Sequence, residues 1–330
     1  MAMSQAYAVG RVRVLERGLL GRSGLERLLT ARTPDEFCRM LSELGWGEAS
    51  GQSEVEELAA RHVREASELM ASASPDKRVT DCFGYRYDAH NLKLLLKAQA
   101  LGLIGDTESL PLMSGGTVSI DAAVKAVRDG HFDAFAPEMA KEAAQLSREM
   151  VVKVEPLAID ARLDKAMYRQ IALNLRHGAP GEIREYFASQ VDMLNLLIRL
   201  RVRAMGRSGE FARRLMLEGG TVDCGRLCDA SDVSDMRALY SGKDYYPRLK
   251  RALEESEQNG DLTQVEKLMD DYLMELMRKH RYEPVSMLPL VGYLLARERE
   301  AAAVRMVMTA LINRFPMDKL RERLRDMYGN

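Results

Sequence analysis

Residues 87–98 read YDAHNLKLLLKA and residues 191–202 read VDMLNLLIRLRV, so Asp88, Asn91 and Leu92 return as Asp192, Asn195 and Leu196 after 104 positions. The same offset joins PLMSGGTVSIDAAV (111–124) to LMLEGGTVDCGRLC (215–228), with Gly115, Gly116, Thr117 and Val118 matched by Gly219, Gly220, Thr221 and Val222. Two adjacent glycines open backbone angles closed to other residues, so GGTV specifies a sharp turn of fixed shape ahead of a short amphipathic helix. A second offset of 102 relates Leu163–Lys165 (LDK) to Val265–Lys267 (VEK). A third copy then follows, in which EAAAVRMVM (300–308) overlays DAHNLKLLL (88–96). Glu300 there takes the place of Asp88, Arg305 that of Lys93, and Ala303 stands where the other copies have asparagine.

A repeat of roughly 100 residues exceeds the 20–50 of a solenoid unit and suits a small helical domain. The expected organisation is three similar bundles, over 1–118, 119–222 and 223–330, in line or around a pseudo-threefold axis. Asp88/Asn91 and Asp192/Asn195, three apart, share a helix face. Such a pair could be half of a metal or acid–base site, or could satisfy neighbouring helix ends or an arginine and so fix register.

Helical periodicity runs almost throughout. Thr33, Pro34 and Glu36 give an N-cap, an N1 proline and an acidic third position ahead of Phe37, Met40, Leu41 and Leu44. Ser53 with Glu56 reads as a capping box, and Ser119 opens a helix that Gly130 stops. Prolines 75, 111, 156, 180 and 316 fall at such boundaries, and Leu92, Leu95, Leu96 and Leu101 are expected to fill the core of the first copy. No alternating β-branched run or Asn-Gly hairpin occurs, so the fold class is all-α.

Lys and Arg number 48 against 49 Asp and Glu in 330 residues, which removes whole-molecule attraction to nucleic acid or anionic membrane. The opening MAMSQAYAVGRVRVLERG carries Arg11 and Arg13 where a signal peptide needs an apolar core. The nearest candidate for a membrane helix, AAAVRMVMTALI (301–312), contains Arg305 and is short of the roughly 20 residues required. Docking on something already embedded in the membrane is the remaining route to one. Four cysteines are too few for a disulfide-stapled fold and read as reduced thiols; Cys224 and Cys228 share a face without a second pair at zinc spacing.

No phosphate loop and no HExxH occurs, and His62, His90, His131, His177 and His280 have no ligand spacing. Asp270 and Asp271 in LMDDYLMEL are similar to the magnesium-binding DDxxD of all-α terpenoid synthases, but Met274 occupies the position of the third aspartate. Arg199, Arg203 and Arg207 form a row at i, i+4 and i+8 that could cradle the carboxylates of a partner helix, pair internally with acids such as Glu182 and Glu185, or meet a polyanion.

The C-terminal stretch VGYLLARERE (291–300), followed by VRMVMTALINRFPMDKLRERLRDMY (304–328), resembles the closing signature of the C-type rotor subunits of bacterial and archaeal V/A-type ATPases, the counterparts of the eukaryotic V-type d subunit. The matching residues are Gly292, Tyr293, Leu294, Ala296, Arg297, Glu298, Glu300, Arg305, Pro316, Arg321, Glu322, Arg323, Leu324 and Tyr328. The chain departs at Ala303, where the family commonly has Asn, and at Val304 for Leu. YAVGRVRVLE (7–16) and LLTARTPDEFCRMLSELGWGE (28–48) match the family's opening helices, with Trp46 in place of a more usual tyrosine.

The resemblance covers the whole chain. It implies a funnel of three bundles around a polar cavity, seated on the membrane-embedded proteolipid ring at the cytoplasmic face and receiving the foot of the central stalk. It implies no catalytic residue, no cofactor and no metal, and a torque-coupling role in which Arg199, Arg203 and Arg207 are the candidate stalk contacts. The alternatives are a free-standing helical scaffold and a magnesium-dependent diphosphate enzyme centred on Asp270.

Overall fold

The computed structural model describes residues 4–74, 76–107, 109–150 and 155–329, and among them every regular element is helical. Pro75, one of the boundary prolines, lies outside the described residues. Four helices open the chain: α1 (Gln5–Leu15), α2 (Gly21–Leu28), α3 (Pro34–Glu43) and α4 (Gln52–Ala73). The middle holds α5 (Lys77–Ala100), α6 (Ile120–Asp129), α7 (Pro137–Glu149), α8 (Pro156–Leu175), α9 (Gly181–Ala204), α10 (Gly209–Arg213), α11 (Cys224–Asp229), α12 (Val233–Ala238) and α13 (Tyr246–Asn259). The chain closes with α14 (Thr263–Lys279), α15 (Leu288–Ile312) and α16 (Met317–Arg323).

Most of the helix boundaries follow the capping chemistry. The Thr33 hydroxyl accepts from Glu36 N, Pro34 occupies N1, and the Ser119 hydroxyl accepts from Ala122 N at the start of α6. Gly130, at φ 71°, ends α6. The expected Ser53/Glu56 box does not form. Instead α4 begins at Gln52, and Glu54 reaches back to Ser50 N and Oγ at 2.8 and 3.0 Å. The N-cap of α4 is Gly51, which has no side chain to cap with, and Glu54 at N3 instead ties down the residue before it.

The contacts group the chain into two compact units: one of residues 1–75 with 259–330, the other of 76–258. In this grouping the opening helices pack with the closing ones. In the first unit α15 is the centre, packed by α1, α2, α3, α4, α14 and α16. Eighteen of its 25 residues are buried. A helix apolar on all sides must be enclosed, which accounts for the absence of a simple polar face. In the second unit α5 packs on α6, α7 and α8, while α9 meets α8, α10 and α11. Phe83, Tyr186 and Phe187 form an aromatic cluster there, with ring centroids 5.0–5.8 Å apart.

The repeat reappears in the backbone where side-chain identity has drifted. The helices α5, α9 and α15 end in the same six-to-one cap: Leu103 N donates to Ala98 O (2.8 Å), Arg207 N to Val202 O (3.0 Å) and Phe315 N to Ala310 O (2.8 Å). The left-handed residue is Gly102, Gly206 and, in the third, Arg314, at φ of 72°, 67° and 52°. This cap satisfies the last carbonyls of each helix. It also moves Leu101 out of the core: it is the C-cap of α5 and 70% exposed, so only Leu92, Leu95 and Leu96 of the expected four are core residues.

Candidate functional site

Asp88 and Asp192 are each 1% exposed and each closes on its own GGTV turn. Asp88 accepts from Thr117 N (3.1 Å), Thr117 Oγ1 (2.6 Å) and Val118 N (3.1 Å). Asp192 accepts from Thr221 N (2.7 Å), Thr221 Oγ1 (2.7 Å) and Val222 N (2.8 Å). One turn on, Asn91 exchanges two bonds with the Met113 backbone (2.8 Å each), and Asn195 does so with Leu217 (3.0 and 2.8 Å). The constant offset of the sequence is therefore one device built twice. A buried helix holds the next turn by a carboxylate and an amide spaced one helical turn apart. The partners lie in the glycine turn and just ahead of it: two backbone amides and a threonine hydroxyl for each aspartate, and the Met113 or Leu217 backbone for each asparagine.

The glycines are needed for two different reasons. Gly115 and Gly219 sit at φ 107° and 104°, which side chains disfavour. Gly116 and Gly220 leave room: a Cβ on either would overlap the carboxylate Oδ1 of Asp88 or Asp192. Gly220→Ala is expected to lower stability by about 1–3 kcal/mol, the cost of forcing a well-packed contact apart. Urea denaturation would measure it, and an unchanged midpoint would show that the turn yields freely.

The third copy is completed by the start of the chain. Glu300, 2% exposed, accepts from Gly21 N (3.2 Å), Trp46 Nε1 (3.3 Å) and Arg297 Nη1 (3.1 Å). Arg297 is itself buried and donates to Tyr293 Oη (2.9 Å) and Gly18 O (3.2 Å). Ala303 cannot make the asparagine's two bonds, and Trp46 supplies a donor from another direction. Arg305, as the counterpart of Lys93, keeps the cross-brace: it meets Glu56 of α4 at 2.5 Å, while Lys93 and Lys97 of α5 pair with Asp164 and Asp160 of α8. The LDK segment thus supplies core through Leu163 and a brace through Asp164.

Burial pushes the Asp88 and Glu300 carboxyls above the ordinary carboxylate range, in both cases against hydrogen bonds that pull the other way. For Glu300 the folded state then holds its proton more tightly than the unfolded chain, and this linkage lowers stability as pH rises from about 4.5 towards neutrality. Glu300→Gln does not titrate. The stability advantage of the wild type over this variant is therefore expected to be largest near pH 5 and to shrink by pH 7.5. Urea midpoints at the two pH values check it, the opposite trend being incompatible with a desolvated carboxyl.

Two residues that no sequence signal marks complete the second clamp. Lys243 Nζ lies 2.8 Å from Asp192 Oδ2 and also bonds the Thr221 hydroxyl, and Tyr240 Oη donates to Asp192 O at 2.8 Å. The first clamp has no such lysine among the described residues.

The arginine row divides. Arg199 is 6% exposed and donates Nη2 to Ala230 O (2.8 Å), and its Nε and Nη1 have no partner among the described residues. It faces inward and is withdrawn from the candidate surface contacts. Arg203 and Arg207 are exposed, with Arg207 5.8 Å from the Phe211 ring, and among the described residues neither pairs with Glu182 or Glu185.

Asp270 and Asp271 are occupied as structural anchors. Asp270 takes Arg325 Nε at 2.8 Å, and Asp271 takes Arg299 Nη1 at 3.3 Å and Asp326 N at 2.8 Å. They tie the C-terminal segment to α14, which removes the magnesium-site reading. Among the described residues no group of three or more metal-ligating side chains converges. His62 is held by Trp46 O (2.6 Å) with its ring against the indole, and burial lowers its pKa. His90 and His131 bond backbone carbonyls, and His280 meets Glu283. Cys228 is buried; Cys224 is half-buried beside Asn195, and burial raises both thiols.

These clamps and braces stiffen each unit from within and leave every marked carboxylate engaged. The model of the ATP synthase (C/AC39) subunit family matches residues 8–323. The chain belongs to that family. It is 22% identical to the C subunit of the A-type ATP synthase of Methanocaldococcus jannaschii, over 97% of this chain and 86% of that one. It is 25% identical to the corresponding A-type C subunit of Methanothermobacter thermautotrophicus, covering 92% and 82% of the two chains. A third relative, the C subunit of the V-type sodium ATPase of Enterococcus hirae, is 24% identical over 78% of each chain. Members of the family are accessory subunits of the A/V-type complex and not catalytic ones. No helix among the described residues is long and apolar enough to cross a membrane.

Proposed function

We propose that this chain is the non-catalytic rotor subunit that joins the central stalk to the proteolipid ring of an A/V-type ATPase and passes torque between them at the cytoplasmic face. Family membership over nearly the full chain carries the reading. Cross-bracing supports it, since a coupler must not yield within itself: α5 is bolted to α8, α15 to α4, α5 and α9 each to a glycine turn, and α15 to the start of α2. The clamp built on α5 and again on α9, with Glu300 of α15 at the matching position, supports a chain made of similar stiff helical units. A helical scaffold for another assembly shares the packing and lacks the family match.

The test is reconstitution. Ion-pumping vesicles stripped of this protein should keep ATP hydrolysis in the soluble motor and lose pumping, and the purified chain should restore pumping. ATP turnover by the isolated chain, or pumping that persists without it, would overturn the reading.

Arg203 and Arg207 are the retained candidates for the stalk contact. Arg203→Glu combined with Arg207→Glu is expected to weaken stalk binding about tenfold at low salt and to leave ring binding unchanged, as for rim charges that steer association. Pull-down with the separated stalk and ring measures both.

A further inference from the structure

Helices α8 and α9, both in the 76–258 unit, leave a groove of about 200 Å³ between them. Its floor is apolar, formed by Ile171 and Leu175 of α8 and by Phe187 and Val191 of α9. On α9 the lining positions 184, 187, 188 and 191 share one face, so the groove is a regular helix surface and not a loop accident. Arg176 and Arg184 stand on its rim, and neither has an ion-pair partner among the described residues. The acid that also lines the groove, Glu218, is taken by Arg169 at 2.8 Å, which holds its carboxyl below the usual range. The rim is therefore left with two uncompensated guanidiniums above a hydrophobic slot sized for a single bulky side chain.

We infer that this groove is a docking site for an acidic segment of the central stalk that inserts one apolar side chain between α8 and α9 and sets its carboxylates on Arg176 and Arg184. The inference rests on the proposed coupling role. Charge complementarity selects an acidic occupant, because two guanidiniums on the rim repel a basic one and gain nothing from a neutral one. The size of the contact selects the stalk. A single apolar anchor framed by solvent-accessible charges gives a small, salt-sensitive contact of the kind a stalk foot makes with a collar it meets at a few points. A permanent seat on the ring calls for a larger and drier surface. The same reasoning gives α9 a part in holding the stalk beyond the arginines at its C-terminal end.

Two variants separate the anchor from the charges. Arg176→Glu with Arg184→Glu changes rim residues outside the core, and Ala188→Trp fills the slot from its α9 wall. Each is measured for binding to the detached soluble motor with its stalk, and to the detergent-solubilised ring, at 50 and 300 mM salt. The charge reversal is expected to cost at least tenfold in stalk affinity at 50 mM salt and much less at 300 mM. The filled slot should cost at least tenfold at both, and neither should move ring affinity. Unchanged stalk affinity in the charge reversal, whose rim positions leave the fold intact, overturns the inference, as does an equal loss of ring affinity. A wild-type chain that binds neither stalk nor ring would instead defeat the coupling role itself.

Discussion

Asp192→Ala is expected to destabilise the protein by on the order of 3 kcal/mol or more, although the residue lies within a helix and far from any chemistry. Its carboxylate is the only acceptor that the second GGTV turn has for two backbone amides and a hydroxyl, among the described residues. Each donor left buried and unpaired costs about 1–3 kcal/mol. Lys243, with a side chain 25% exposed, would lose the carboxylate it faces, and solvent would recover only part of that loss. The double variant Asp192→Ala with Lys243→Met should be less unstable than the sum of the two single changes, because it removes the stranded charge together with its partner. Urea unfolding of the four proteins in a double-mutant cycle gives the coupling. Additive effects would mean that Lys243 neutralises nothing and that the turn alone holds the site.

How much of this is legible in the sequence depends on whether the information is local. Thr33, Ser119 and Gly130 act within three or four residues of themselves, so their caps are readable directly. GGTV announces its shape because only glycine takes φ near 104–107° without strain. That the two DxxN segments are one device is also readable, from the constant 104-residue offset. Their acceptor role is not, since a spacing of three places two side chains on a face without naming what they face. Lys243 is 51 residues from Asp192 in a segment with no repeat, and nothing in SGKDYYP marks it. Leu101 misleads for the opposite reason: it continues the leucine run of α5 but lies one residue past the helix end, where Gly102 turns the chain outward.

The third copy hides its completion because the partner of α15 comes first in the chain and α15 nearly last. Position 21 has a glycine, but no GGTV: Glu300, one methylene longer than aspartate, accepts from the first residue of α2 and not from a glycine turn. The arginine row shows the limit of helical periodicity. A 4-residue spacing aligns Arg199 with Arg203, yet α9 passes from enclosed to exposed between them, so one is core and the other surface.

Glu300→Ala should then have the largest functional effect, because it cuts the link between the two ends of the chain. The change leaves Arg297 buried without its carboxylate, and Gly21 N and the Trp46 indole without an acceptor. Removing one partner of a buried pair costs about 3–5 kcal/mol, most of it from the charge left behind. The loss should be local before it is global. Gly21 and Trp46 are held to α15 by this carboxylate and Gly18 by its partner Arg297, so the amides of residues 16–28 and Trp46 should exchange faster than those of α5 and α9. Hydrogen exchange resolved by segment would detect this, and Trp46, the only tryptophan in the chain, reports the same event by fluorescence. On the proposed coupling role, a chain loosened at that seam should, in a reconstituted complex, turn ATP hydrolysis into less ion pumping, with hydrolysis itself retained. Uniform exchange across the segments, or full pumping at reduced stability, would show that stiffness at Glu300 is not what couples the motor.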